Sequence, residues 1–336
     1  MRFDVILYSD LSAEDMVRYG KLAEEYGLGG VWIANNYDTR DAFVNFVPLA
    51  MQTKRLRMGP IAISPFELHP VKMAHSLLTL NEIATGRAQL VVGGGGGTAE
   101  NLGLKPKHMV RAVRECVEII NVAITGEPCG YKGELYSAGW IDARWAQQPR
   151  PMVYVGANGP KTLKGAARYA DGIMLSDFGP ARVRSVHDMI DPILTSSGRD
   201  PASYPLNNFW AWHVQEDHAA AHREARIYLA VRGTIYPDYI GDVVDADDAA
   251  IVARHLREFL TAYQTKSPVI KGVPDEILTR IVDHGVSAST IDNIEHEVER
   301  MRNFKDAGLT EIALCIYSNP EQAIRLIGER LVPALG

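Results

Sequence analysis

Cysteine is scarce in this chain, and the three thiols, Cys116, Cys129 and Cys315, form no metal-binding spacing. The odd count suits a reducing cytosol better than a disulfide framework, and Cys116 and Cys315 fall inside apolar patterns that read as buried. Charge of one sign never accumulates. The net charge is −6 over 336 residues with no long run of like charge, which argues against nucleic acid or an anionic membrane surface as the main partner. No apolar run approaches the roughly twenty residues that span a bilayer. Met1–Tyr8 reads as a short strand carrying Arg2 and Asp4, not as a signal peptide. The expectation is a soluble, cytoplasmic protein. Also missing are His-x-His and Glu-x-x-His pairs, a converging carboxylate cluster, a Gly-x-Ser-x-Gly elbow and a Walker loop. No metal site is expected.

What is present centres on Leu56–Gly103. A strand (Leu56–Ile63) leads through a Pro-containing turn to a helix (Pro70–Ala84), a second strand (Ala88–Val92) and five glycines, Gly93, Gly94, Gly95, Gly96 and Gly97. Met73, Leu77, Leu80 and Ala84 share one helix face. Strand, helix, strand in this span is a βαβ unit with parallel strands. Glycines at the C-terminal end of such a strand leave bare N–H groups where α/β folds bind flat or phosphorylated ligands.

The same rhythm runs through the chain. Strands read at Phe3–Tyr8, Gly30–Asn35, Met152–Val155, Asp171–Leu175, Asn208–His213 and Leu309–Tyr317, for eight in all. Helices follow Ser12, run from about Asp41 to Thr53, and occupy Lys107–Thr125, Lys161–Tyr169, Pro180–Ser196 and Pro320–Leu331. Gly126–Pro151 reads as a long connection over the surface, and residues 217–306 as several helices with no strand between them. Strict βα alternation favours a single-domain (β/α)8 TIM barrel over residues 1–336, with a helical insertion before the last strand. A doubly wound open sheet is the alternative.

In a barrel the functional side chains gather at the strand C-termini. Those ends supply Tyr8-Ser9-Asp10, Asn35-Asn36-Tyr37, Ser64 with Glu67 and His69, Gly93–Glu100, Gly156–Thr162, Asp177, Trp212-His213 and Tyr317-Ser318. Glycine, amide, hydroxyl and aromatic groups suit a planar heterocycle with a phosphate tail, whose chemistry the cofactor would supply. In the turn Gly156-Ala157-Asn158-Gly159-Pro160, a helix opens toward an incoming anion, and Lys161 and Thr162 add a charge and a hydroxyl. For His69, at a helix start, and for the tryptophans of the aromatic strand, a structural role is the default.

At this point the residues match a family. Gly59-Pro60-Ile61-Ala62-Ile63-Ser64-Pro65-Phe66-Glu67-Leu68-His69-Pro70, with Gly86-Arg87-Ala88 before the glycines, resembles the luciferase-like monooxygenase superfamily. Val153–Leu163, with Ala170-Asp171-Gly172 after it, resembles its second hallmark, and the likeness is weakest in residues 200–270. Within the superfamily the chain is most similar to the coenzyme F420-dependent reductases of the methylenetetrahydromethanopterin reductase type. The resemblance implies a barrel that holds F420, with FMN as the alternative, against a non-prolyl cis peptide at Ile61-Ala62. Ser64, the five glycines and Gly156–Thr162 would complete the cofactor site. It implies hydride transfer to or from a small carbonyl, imine or alcohol, and a homodimer. Related enzymes often carry a His where this chain has Asn36, so Asn36 would orient substrate and Glu100 would exchange a proton. Tyr37, Glu67, Trp212 and Asp177 are the substrate-binding candidates. An FMN-dependent monooxygenase and a non-catalytic flavin- or F420-binding protein are the alternative functions.

Overall fold

Each barrel strand is a run of four to seven residues with both faces buried, the pattern of a parallel sheet covered on one side by helices and on the other by its own lumen. In the computed structural model, which describes residues 1–336, these are β1 (Arg2–Leu7), β2 (Gly30–Ala34), β3 (Arg57–Ile61) and β4 (Gln89–Val92). A hairpin of β5 (Cys129–Lys132) and β6 (Ser137–Ile141) comes next. The barrel then resumes with β7 (Met152–Gly156), β8 (Gly172–Ser176), β9 (Leu206–Trp212) and β10 (Glu311–Ile316).

The eight barrel strands are all parallel, in the order β3-β2-β1-β10-β9-β8-β7-β4. Bridges Met58–Ala88 and Ile63–Val92 join the two ends. The expected (β/α)8 barrel is the observed fold. Gly59 is required at that seam, since a Cβ there would stand 1.6 Å from the Gln89 carbonyl oxygen.

Alternate residues point into the lumen, where Ile6, Trp32, Ile61, Val91, Tyr154, Met174 and Cys315 pack together. Their neighbours along each strand join the helices in the main core. The lumen is closed at the strand N-termini by a polar plug. Arg2 grips Asp4 at 2.8 Å and Glu311 at 2.9 Å, the Trp32 indole N–H donates to Asp4 at 2.8 Å, and the Tyr154 hydroxyl donates to Glu311 at 3.0 Å. A ligand therefore has only the C-terminal mouth to enter.

Three local expectations change. Only Val44–Phe46 (one 3-10 turn) and Val47–Gln52 are helical in the predicted 41–53 helix. The Asp41 carboxylate accepts from the Phe43 and Val44 N–H groups at 2.9 and 2.8 Å, capping a start that runs as a turn and a 3-10 segment before the α-helix opens at Val47. The connection 126–151 is not featureless, because β5 and β6 pair across it. Its turn is held by the buried Glu115 carboxylate, which accepts from the Glu134, Leu135 and Tyr136 N–H groups at 3.0, 2.9 and 2.9 Å. The glycine run is not all loop either, since a helix opens inside it at Gly96–Asn101, with Gly95 at φ +99°, a conformation other residues rarely adopt.

Residues 218–306 supply helices His218–Tyr228, Ala246–Arg254, Leu256–Thr265, Asp275–Gly285 and Ile294–Asp306. The helical segments before Val286 bury a core of their own around Phe259, Ile281 and Val282. Bridges Trp212–Ser287 and Gln215–Thr290 tie the insertion to the end of β9.

Candidate active site at the barrel mouth

Five of the expected cofactor residues, Ile61, Ala62, Gly156, Ala157 and Asn158, line one slot, and Ser64, the five glycines, Gly159, Lys161 and Thr162 lie outside its lining. A cavity of about 430 Å³ is lined by Ile61, Ala62, Val91, Gly156, Ala157, Asn158, Met174, Ser176 and Phe209, within the usual size range of small-molecule sites. The Ile61–Ala62 peptide is cis, as expected. Apolar side chains from four strands form the walls, which suits a flat ring. The bottom of the slot is shaped by close backbone approach, since a Cβ on Gly93 would stand 2.8 Å from that of Ala62.

The turn after β7 is rigid. Asn158 donates to the Ser176 carbonyl at 3.1 Å and accepts the Ser176 N–H at 3.0 Å, so the turns after β7 and β8 are locked side by side. Gly159 then caps the helix Pro160–Tyr169, with Pro160 at the first position, where no N–H is needed. Lys161 is exposed beside that helix start, and Thr162 is half-buried.

The other wall of the mouth is carboxyl and amide. Glu67 accepts from the Asn35 amide at 2.9 Å and from the Ser64 N–H at 3.1 Å. Burial pushes its carboxyl above the ordinary range, against the pull of those two bonds. Ser64 is fully buried and accepts the Phe66 N–H, and the Gly93–Gly97 loop passes close to it at Gly95. The Tyr136 hydroxyl donates to the Pro65 carbonyl at 3.0 Å, so the hairpin pins this loop. His69 does what the structural reading expects, accepting the Val71 N–H as a helix cap. Asn36 is half-buried and its side chain bonds no protein group, whereas Tyr37 is 50% exposed. Glu100 is exposed and unpaired on the helix Gly96–Asn101, so Glu67 is the carboxyl the structure holds in place.

Two substrate candidates are corrected. Trp212 lies on the outward face of β9 and is 2% exposed, packed with Trp210 in the helix-facing core, so it does not reach the mouth. The inward residues of β9 are Asn207, Phe209, Ala211 and His213, the opposite phase of the alternation. Asp177 is at the mouth but is engaged within the protein. It pairs with Arg232 at 3.5 Å and accepts from the Gly233 N–H at 2.7 Å and the Ser176 hydroxyl at 3.0 Å.

Sequence reasoning missed Arg232, whose guanidinium is buried 4.2 Å over the Phe209 ring. It placed His213 and Tyr317 at the strand ends but missed the insertion residues that join them in an aromatic flank. Tyr317 stacks on His213 at 4.5 Å, Tyr228 lies 4.1 Å from Tyr317, and the Lys266 ammonium sits over Tyr228 and Tyr263. His213 and Glu224 pair at 2.8 Å, and burial lowers the proton affinity of the imidazole despite that carboxylate. The inward phase of β9 was available for finding Phe209. Arg232, Tyr228, Tyr263 and Lys266 come from the insertion, where no periodicity relates them to the barrel.

Comparison with known proteins agrees with this geometry. The family model described as luciferase-like monooxygenase matches residues 1–311. A 5,10-methylenetetrahydromethanopterin reductase from Archaeoglobus fulgidus is 28% identical over 342 residues, covering 100% of both chains. Among solved structures, the coenzyme F420-dependent tetrahydromethanopterin reductase from Methanopyrus kandleri superposes with a TM-score of 0.83 at 23% identity, covering 100% of this chain and 99% of that one. An F420-dependent secondary alcohol dehydrogenase in complex with an F420–acetone adduct gives 0.79 at 18%, with the same coverage. At such identities the two structures speak for the fold.

Proposed function

Because this chain belongs to the luciferase-like monooxygenase family, we propose that it is an F420-dependent oxidoreductase, moving a hydride between the deazaflavin coenzyme and a small organic substrate. The observation that carries the reading is the full-length likeness to the F420-linked reductases, met by an apolar slot at the barrel mouth that suits a flat ring. The residues present fit the group. Ile61, Val91, Met174 and Phe209 give a flat ring apolar walls, and Gly156–Asn158 line its edge. Lys161 and Thr162 stand where a phosphate tail would meet a helix N-terminus.

When bound, the coenzyme supplies a hydride at a ring carbon. The protein's part is to hold donor and acceptor in register and keep water out of the slot. Asn36 orients the substrate through hydrogen bonds but cannot act as an acid. Glu67, made less acidic by burial, is better placed than Glu100 to give and take the accompanying proton. Pairing into a homodimer, as in the family, belongs to the same proposal and is read by sedimentation.

Titration of the purified protein with F420 and with FMN, followed by cofactor fluorescence, tests the reading. Saturable F420 binding with turnover of the reduced coenzyme supports it. Tight FMN binding with no response to F420 would favour a monooxygenase and sink it, and F420 binding without turnover on any carbonyl, imine or alcohol would leave a non-catalytic binder.

A further inference from the structure

Arg232 is a buried cation at the barrel mouth with one nitrogen, Nη2, that meets no protein acceptor. Its side chain is 7% exposed, reaches in from the helical insertion and lies with its guanidinium 4.2 Å over the ring of Phe209, a wall of the coenzyme slot. Guanidinium has five N–H donors, and a buried charge is costly unless they are met. Nε donates to the neighbouring Val231 carbonyl at 2.8 Å. Nη1 reaches Asp177 at 3.5 Å, the long limit of a hydrogen bond. Nη2 donates to no protein group. The counter-charge is itself divided, because Asp177 also accepts from Gly233 and Ser176 at shorter distances. The other side chains that feel this cation are Tyr8, Cys315, Tyr317, Tyr263 and His213, and the nearest further carboxylate, Glu224, is spent on His213 at 2.8 Å. The barrel mouth thus holds a fixed positive charge, positioned by Asp177 and only partly compensated.

We propose that Arg232 is the subsite for a substrate oxygen that carries or develops negative charge, so that the substrate is a carbonyl compound, or the alcohol it becomes, and not an iminium. The argument rests on the oxidoreductase reading above. Hydride addition to a carbonyl carbon forms a C–H bond and breaks the C=O π bond, whose electron pair stays on oxygen as an alkoxide. A proton from a mouth carboxyl or solvent completes the alcohol, and the reduced deazaflavin is the two-electron donor. A guanidinium beside that oxygen stabilises the charge as it forms. An iminium enters the same reaction as a cation and leaves it neutral. Arg232 would repel it on binding and give nothing back in the transition state. Phe209 fixes the plane of the guanidinium, and Asp177 its edge.

The test uses charge mimics of the two substrate classes. Protein with and without F420 is titrated calorimetrically with cyclohexanecarboxylate, an alkoxide mimic, and with cyclohexylmethylammonium, a cationic isostere. The expected result is an anion preference of about tenfold or more, corresponding to one charged hydrogen bond. Arg232→Gln should abolish it, and Arg232→Lys should keep part of it, while the F420 dissociation constant stays within about threefold in both variants. Circular dichroism of Arg232→Lys guards against a folding defect. No anion preference in the wild type, or one that survives Arg232→Gln, overturns the proposal. So does a loss of F420 affinity that parallels the loss of anion affinity, since the guanidinium would then serve the coenzyme. Failure of the wild type to bind F420 would instead sink the oxidoreductase reading, and the anion titration of the unloaded protein would still judge the subsite.

Discussion

Removing the Glu115 carboxylate should unfasten the hairpin that braces the active-site loop. Glu115 is buried in the helix Met109–Ile124 and accepts three backbone N–H groups from the turn Glu134–Tyr136, at 3.0, 2.9 and 2.9 Å. Burial works against its charge, but those bonds, with Arg114 at 4.0 Å, hold the carboxyl below its ordinary range. Hydrogen bonds to a charged group contribute about 1.5–3 kcal/mol each, so three give a simple upper sum of roughly 5–9 kcal/mol. The Glu134 and Leu135 groups lie in an exposed turn where water replaces the lost acceptor, and deleting the carboxylate also removes a buried charge. A net loss of about 3 kcal/mol is expected for Glu115→Ala, a sizeable part of the roughly 5–15 kcal/mol that stabilises a domain. Urea unfolding at neutral pH measures it.

The sign of the pH dependence is fixed as well. A carboxyl whose folded pKa is depressed stabilises fully above its unfolded value and loses that contribution as pH falls through the folded one. The gap between wild type and variant should therefore close as pH drops below about 4.3. A loss under about 0.5 kcal/mol, or a gap independent of pH, would refute the reasoning. Because the Tyr136 hydroxyl holds Pro65 and its ring stands edge-on to His69, the same variant should raise the Michaelis constant by loosening the Glu67 loop.

The remaining predictions concern the mouth. Lys161→Ala should weaken F420 binding by about 1–3 kcal/mol with folding intact, as expected for one charged hydrogen bond to a phosphate, and an unchanged dissociation constant would show that Lys161 faces solvent. Glu67→Gln should lower turnover of reduced F420 by about tenfold or more while Glu100→Gln stays near wild type, and the reverse order would return the proton to Glu100. Burial lowers the proton affinity of His213, and of His222 in the same direction, so the unfolded chain takes up protons first and stability falls as pH drops below about 6.5. His213→Gln should flatten that decline in urea unfolding between pH 5 and 7.5; an unaltered slope would assign the decline to other groups.

The barrel was legible because each βα unit states its own period. The face of Pro70–Ile83 that turns inward is the one the spacing picks out, with Met73, Leu77 and Leu80 all buried. A helix follows Ser12 as read, and Ser12 caps it by accepting the Asp15 N–H. The hairpin was missed because its side-chain bonds reach across the sequence. The hairpin depends on a carboxylate that lies outside it, at Glu115, and nothing within residues 126–151 announces that partner. The helix expected from Asp41 is capped there by that side chain, but its first turns stay irregular and 3-10 before Val47.

The candidate site divides along the same line, and the division bears on function. Residues that hold the coenzyme slot sit on strands and first turns, where position follows from the βα rhythm, and Ile61, Ala62, Gly156, Ala157 and Asn158 meet as expected. Residues on the substrate side descend from the insertion, as Arg232 and Lys266 do, or depend on the phase of one strand, as Phe209 and Trp212 do. The error with Trp212 is instructive, since a shift of one residue along β9 exchanges the lumen for the helix layer. The insertion folds around a core of its own and meets the barrel at the mouth, through Arg232 on Phe209, Tyr228 on Tyr317 and the bridges to β9. A barrel that fixes the hydride donor, roofed by a separately packed insertion that supplies the charges facing the acceptor, can keep one coenzyme and change its substrate. In this chain the roof contributes a buried guanidinium, and the substrate that fits it is one whose oxygen takes up the electron pair.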